Sequence, residues 1–336
     1  MKAWVIVVII AVILLIVLMG LIFSFFAKYV SMPVNDLERS INWEKEHKFF
    51  RNFDKRDVTE YILKSFDGYE IHTYFVPNPD FKDSKNFVII SHGYTSSHYG
   101  ALKYLNKWME LGYNCVIYDD RFHGKNLKSW KKPCTLGVNE AKDLITVIND
   151  TYARYGNDIY LGLQGESMGS ALQITALKYN PRVHFIVNDC GFAELYNVLT
   201  GRLKVIFHLH NWIIWPASFM CNIIFKWSFF KNRPIDSLKN NTVPVCFVHG
   251  ADDKFVTPDN SFRMAAANPA YSEIHIFENA KHAETMLVDE ERYLGILKNF
   301  LNTVKDIEDG KRENKSDIDF MKEMKKYGFE NRDVLK

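Results

Sequence analysis

Gly165-Glu166-Ser167-Met168-Gly169 lies between an apolar run, Ile159 to Leu163, and a helix-like run, Ser170 to Tyr179. A strand that turns into a helix within five residues leaves the central one in strained backbone geometry, its side chain standing clear of the turn. Glycines are then required where a Cβ would strike neighbouring chain. The central residue here is a serine. Its hydroxyl is a weak nucleophile at neutral pH, so the turn becomes chemically useful only with a base for the proton and a carboxylate to hold the base.

Both partners follow downstream. Val243 to Val248 reads as a buried strand running into His249-Gly250-Ala251-Asp252-Asp253, which places an acid in the loop at the strand's carboxyl end. Glu273 to Phe277 alternates as a strand, and Glu278-Asn279-Ala280-Lys281-His282-Ala283 puts a histidine in the next loop. His282 is the expected base, and Asp252 and Asp253 are the two candidate acids. An acyl-transfer site also needs donors aimed at a developing oxyanion, each worth roughly 3 kcal/mol. Phe87 to Ile90 reads as a central strand leading into Ser91-His92-Gly93-Tyr94-Thr95-Ser96, where a glycine admits close backbone approach. The main-chain N–H groups of Tyr94 and Met168 are the expected donors.

These segments together resemble the α/β-hydrolase superfamily from about Val58 to Val304. The serine turn, His92-Gly93-Tyr94, His249-Gly250-Ala251-Asp252-Asp253 and Ala280-Lys281-His282 carry the likeness, in the order Ser, Asp, His that this fold requires. Tyr118-Asp119-Asp120-Arg121-Phe122-His123-Gly124 is similar to the Asp-x-Arg-x-His-Gly loop after the fourth strand of many members. Within the superfamily the chain looks most like bacterial serine hydrolases of prolyl-oligopeptidase-like and acyl-esterase-like type, including membrane-anchored ones. The family's Gly-x-x-Asp spacing selects Asp253 over Asp252. The resemblance implies a serine hydrolase with the triad Ser167, His282 and Asp253, and no metal or organic cofactor. It does not imply the substrate; an ester of a small or lipid-like acyl group is the expectation, with short peptides, thioesters or acyl transfer as alternatives, and a tethered binding protein without turnover as the non-enzymatic one.

A mostly parallel sheet flanked by helices is the expected architecture. Tyr61 to Leu63 and Ile71 to Phe75, separated by Asp67-Gly68, read as an opening hairpin. Leu102, Leu105, Trp108 and Met109 form a helical stripe, as do Ala141, Leu144, Ile145, Ile148 and Tyr152. Such a sheet gathers its functional loops at the carboxyl ends of its strands. Between Cys190 and the strand at Val243, an insertion at about 191–241 carries Phe207, Trp212, Trp215, Phe219, Phe225, Trp227, Phe229 and Phe230. In this fold an insertion there covers the site as a helical cap, so these aromatics either line an apolar pocket or simply pack the cap onto the body. Lys204, His208, His210, Lys226 and Lys231 interrupt it too often for a second membrane span.

Ala3 to Ala27 contains no charged residue. As a helix rising roughly 1.5 Å per residue it exceeds the ~30 Å hydrocarbon core of a bilayer. The length, and the poor cleavage site around Phe23-Ser24-Phe25-Phe26-Ala27-Lys28, favour an uncleaved transmembrane signal anchor at 1–28 over a removable leader. A connector at 29–57 docks through Ile41, Trp43, Phe49 and Phe50, the hydrolase domain fills 58–304, and a charged tail at 305–336 reads as a solvated helix or frayed end with Phe320, Met321, Met324 and Tyr327 as its apolar anchors. Lys28, Arg39, Lys45 and Lys48 after the span favour a cytoplasmic domain by charge, whereas analogy with short-tailed signal anchors puts it on the external face. A net charge of +2 gives no reason to expect nucleic acid. Cys115, Cys134, Cys190, Cys221 and Cys246 lack metal-type spacing and read as small buried hydrophobes. The expected partners are a small-molecule acyl substrate and the lipid bilayer through residues 3–27; no protein partner is indicated.

Overall fold

Strands rich in Val, Ile, Leu and Phe, the central five of them buried along nearly their whole length, organise the chain as an α/β sandwich. The structure is a computed structural model describing residues 2–32, 37–51, 53–206 and 210–329. In chain order the principal elements are α1 (Ala3–Phe26), α2 (Leu37–Glu46), β1 (Thr59–Lys64), β2 (Glu70–Val76), β3 (Asn86–Ser91), α3 (Leu102–Glu110), β4 (Asn114–Tyr118), α4 (Glu140–Tyr155), β5 (Tyr160–Glu166) and α5 (Met168–Ala176). There follow β6 (Phe185–Asp189), α6 (Leu195–Ile206), α7 (Ile214–Phe225), β7 (Val245–Gly250), α8 (Asp259–Ala267), β8 (Ser272–Phe277), α9 (Thr285–Val288), α10 (Glu290–Glu308) and α11 (Phe320–Lys326).

The eight strands form one sheet in the order β1-β2-β4-β3-β5-β6-β7-β8. The β1–β2 and β2–β4 pairs are antiparallel and all others parallel. Period-two alternation divides the core. Phe87, Ile89, Val116, Leu161 and Leu163 face α4, α5 and α8, while Val88, Ile90, Cys115 and Ile117 face α3 and α10. The opening hairpin and both helical stripes form where the sequence places them: Leu102, Leu105 and Trp108 are buried, as are Ala141, Leu144 and Ile148. All five cysteines are free and buried.

The helix α1 is long and apolar enough to cross a membrane. Its exposed stretch runs to Leu21, and Phe26 and Ala27 are buried against the domain. A π-helical turn, Ala27–Ser31, continues it, and the Ser31 carbonyl accepts from Cys134 N–H at 2.9 Å. Phe49 and Phe53 of the following segment are buried against β2 and α3, with Trp43 and Phe50 packed beside them. The charged tail departs from a solvated or frayed end. Phe320 and Met324, one turn apart on α11, are buried with Phe329 against Phe262 of α8, while Met321 and Tyr327 remain exposed. A helix this short is held by its tertiary contacts rather than by propensity.

Candidate active site

β5 ends at Glu166 and α5 begins at Met168, so a single residue, Ser167, makes the reversal. Its φ of 52° and ψ of −111° lie where a residue with a Cβ rarely sits. Its N–H donates to the Asp189 carbonyl at 2.8 Å, which ties the turn to β6. Gly169 faces the backbone carbonyls of Ser91 and His92 so closely that any Cβ would overlap them. The sequence at this turn is therefore dictated by backbone crowding.

Asp253 and His282 come from the loops after β7 and β8. Ser167 Oγ lies 2.8 Å from His282 Nε2, and His282 Nδ1 lies 2.6 Å from Asp253 Oδ2. A carboxylate can only accept from Nδ1–H, and that tautomer leaves Nε2 to accept the Ser167 hydroxyl proton. Asp253 is buried; its Oδ1 accepts from the N–H groups of Phe255 and Val256 at 2.8 and 2.9 Å. Burial opposes ionisation, but the hydrogen bonds and charges of His249 and His282 outweigh it and hold the carboxyl well below the usual range. Asp252, the other candidate acid, is exposed and does not reach the histidine.

Met168 opens α5, where backbone N–H groups lack intrahelical partners and the helix dipole favours negative charge. Tyr94 follows Gly93, and a Cβ on that glycine would stand 3.7 Å from Ser167 Cβ, so the β3 loop runs past the serine. His123 braces this loop: its Nε2 accepts from Thr95 N–H at 3.0 Å while its Nδ1 donates to the Arg121 carbonyl at 2.8 Å. Burial, reinforced by neighbouring His92, pushes the His123 imidazole down to about 3, so it stays neutral and keeps accepting. His92 bridges Gly93 and Asp120 in the same way.

Three supports escape the sequence reading. Lys103 of α3 is buried, forms an ion pair with Glu166 and donates to the Ala283 carbonyl at 3.0 Å, joining the residue before Ser167 to the histidine loop. Asp189, at the end of β6, accepts from Thr285 and Tyr104 hydroxyls at 2.7 and 2.9 Å. His249, on β7, has its Nε2 3.2 Å from Asp253 Oδ2 and 2.7 Å from the Val256 carbonyl. A charged residue ending an apolar strand is the signal that could have revealed Asp189; a lysine inside an amphipathic helix gives none.

Cys190, Asp253 and His282 each place a ligand-type atom within 4.8 Å of the others. The histidine and carboxylate are already hydrogen-bonded to each other, and burial holds the thiol in its protonated form. The trio therefore suits proton handling better than metal binding.

Two cavities flank the hydrogen-bonded pair, one lined by Ser167 and the other by His282. One, of about 170 Å³, is apolar. Ser167, Met168 and Tyr94 line it on one side, Phe192 and Leu195, Val198, Leu199 and Leu203 of α6 on the cap side, and Phe25, Phe26 and Val30 from the end of α1 and its π-helical turn on another, with Leu136 and Phe255 completing it. The other, of about 530 Å³, is polar and lies beyond His282, with Arg39, Glu44, His47, Lys103 and Glu166 in its lining. Of the eight aromatics singled out in the cap, none of those described lines the apolar cavity, although Phe192 at the start of the insertion does. Phe225 and Phe229 instead meet Phe23 and Phe26 with ring centroids 5.7 Å apart, and Trp212, Trp215 and Phe219 are exposed. Phe207 and His208 lie outside the described residues, as does the side chain of Lys204.

The strand order, the strained serine between β5 and α5, and the loops that converge on it define a member of the α/β-hydrolase superfamily. Residues 101–305 match the prolyl oligopeptidase family, and the chain belongs to that family. It is 27% identical over 293 residues to the uncharacterised protein YqkD of Bacillus subtilis, covering 85% of this chain and 93% of the relative. In fold it is similar to the esterase Pf2001 of Pyrococcus furiosus, at a TM-score of 0.61 and 21% identity over 81% of this chain and 97% of that one. It is also similar to the α/β hydrolase GrgF of a Penicillium species, at a TM-score of 0.58 and 14% identity over 74% of this chain and 98% of that one.

Proposed function

We propose that this protein is a membrane-tethered carboxylesterase. His282 Nε2 takes the Ser167 proton as Oγ bonds to an ester carbonyl carbon, and Asp253 keeps the imidazole in the tautomer and orientation that allow it. The Tyr94 and Met168 N–H groups receive the oxyanion. Collapse breaks the bond to the alcohol, which leaves with the proton held on His282. A water activated by the same imidazole then releases the acid and restores Ser167.

The observation that carries this reading is the continuous hydrogen-bonded chain Ser167–His282–Asp253, at 2.8 and 2.6 Å, beside an apolar cavity. Such a cavity suits an acyl chain. The family match gives the second reading, a peptidase acting on short peptides. A panel of p-nitrophenyl esters of graded chain length, set beside aminoacyl anilides, separates the two: turnover of the esters alone supports the esterase, and turnover of the anilides alone overturns it. A fluorophosphonate probe is expected to label the wild type and leave Ser167→Ala unlabelled, with ester turnover in that variant lower by about 10⁴-fold or more. Absence of label on the wild type would point to a binding protein on a hydrolase scaffold. We place α1 across the bilayer with the domain on the external face; protease added to intact cells is expected to remove the domain.

A further inference from the structure

The stretch of α1 from Ala3 to Leu21 is exposed along nearly its whole length, and from Ile22 onward the helix packs against the cap. At 1.5 Å per residue that exposed stretch measures about 28 Å, the thickness of a bilayer's hydrocarbon core. The boundary between lipid and water therefore falls near Ile22. Phe25 and Phe26, which wall the apolar cavity, lie about one helical turn beyond it.

The cap helix α7 lies against the same turn. Ile214, Ala217, Ser218 and Cys221 are its buried face, and Phe225 at its end meets Phe23 of the anchor. The opposite face is apolar as well: Trp215, Phe219 and Ile223 recur every four residues, with Trp212 just before them, and Trp212, Trp215 and Phe219 are 57%, 62% and 60% exposed. Apart from the exposed Asn222 and the hydrogen-bonded Ser218, α7 is apolar all round, and such a helix needs an apolar medium on each side. Its 12 residues reach only about 18 Å, too short to cross a bilayer. Tryptophan and phenylalanine on the outward face, beside a spanning helix, suit a helix lying in the interfacial plane.

We infer that the outward face of α7 is seated in the bilayer, and that the cavity at Ser167 receives the acyl chain of an ester resident in that bilayer. The continuity of this face with the anchor helix identifies the occupant as lipid. The inference deepens the esterase reading and rests on it for the substrate class: the acyl chain enters between α6 and the end of α1, and the polar leaving group faces the cavity lined by Arg39, His47 and Lys103.

Two measurements on the full chain, reconstituted in equimolar phosphatidylcholine and phosphatidylglycerol vesicles, test it. Dibrominated phosphatidylcholine quenches tryptophans that sit among acyl chains. Replacing Trp212 and Trp215 by phenylalanine, a change that keeps the fold, is expected to remove part of the quenchable emission; removal of only unquenchable emission overturns the docking and leaves the face to a protein or a second copy. The variant Trp212→Ser, Trp215→Ser, Phe219→Ser is then compared with wild type on water-soluble p-nitrophenyl butyrate and on p-nitrophenyl palmitate carried in the vesicles. The expectation is unchanged butyrate turnover and a loss of about tenfold or more on the embedded ester, since each aromatic contributes apolar area to the interface. Equal retention or equal loss on both esters overturns delivery from the membrane. If wild type turns over neither ester, the hydrolase reading fails and the substrate class with it, while quenching still decides the docking.

Discussion

Lys103 is the residue on which the two halves of the site lean. Its ammonium is buried, and although burial alone would discharge it, the Glu166 carboxylate beside it raises its affinity for the proton. Removing it leaves Glu166 buried without its counter-charge, so Lys103→Met is expected to cost about 3–5 kcal/mol in denaturant unfolding. Because the same Nζ holds the Ala283 carbonyl next to His282, the loss in ester hydrolysis should appear in kcat more than in KM. Glu44 of α2 faces the same ammonium, yet burial outweighs it and, with Glu166 nearby, pushes the Glu44 carboxyl up to about 8. A carboxyl raised on folding contributes stability below its ordinary value of 4.5, and that contribution is lost as pH climbs through about 8. Between pH 5 and 8 the wild type should therefore lose stability relative to Glu44→Gln, on the order of a few kcal/mol at most. Denaturation of both proteins at the two pH values checks it, and a constant difference would refute it.

The β5–α5 turn is the element on which the proposed catalysis rests, and its geometry was legible because it is local. Five consecutive residues between a strand pattern and a helix pattern define it. Gly169→Ala should force the Ser91 and His92 carbonyls apart, costing about 1–3 kcal/mol by overpacking. A displacement near 1 Å at the nucleophile is worth about 10²-fold in turnover, so ester hydrolysis should fall at least that far while the far-ultraviolet circular dichroism of the folded state is retained. The acid was less legible for an equally physical reason. Asp252 and Asp253 are adjacent in a loop, and only the fold buries one against the Phe255 and Val256 N–H groups and leaves the other in water. The cap shows the limit of composition: its aromatics were visible, but which side of each helix they occupy was not.

At the scale of the whole molecule, the end of α1 and the helix α11 both pack onto the domain. The tail completes one face of the core through Phe320, Met324 and Phe329, none of which lines either cavity beside Ser167 and His282. Phe320→Ala is expected to destabilise by about 3 kcal/mol, read as a lowered midpoint of unfolding, with kcat/KM of the folded protein unchanged. The end of the amino-terminal helix packs against the cap, and Phe25 and Phe26 stand within an apolar run whose letters are the same whether they meet lipid or protein. The amino-acid sequence alone determined the order of strands and helices, the strained serine turn, the histidine loop and a segment long enough to cross a bilayer, because each is written in neighbouring residues by periodicity, crowding or length. Only the tertiary structure decided which aspartate meets His282, that Lys103 bridges the two loops, and that the end of α1 joins the wall of the apolar cavity while Trp212, Trp215 and Phe219 of the cap stay outside it. Those outcomes depend on which faces meet across distances of tens to hundreds of residues, and hydrophobicity, being non-directional, does not specify its partner.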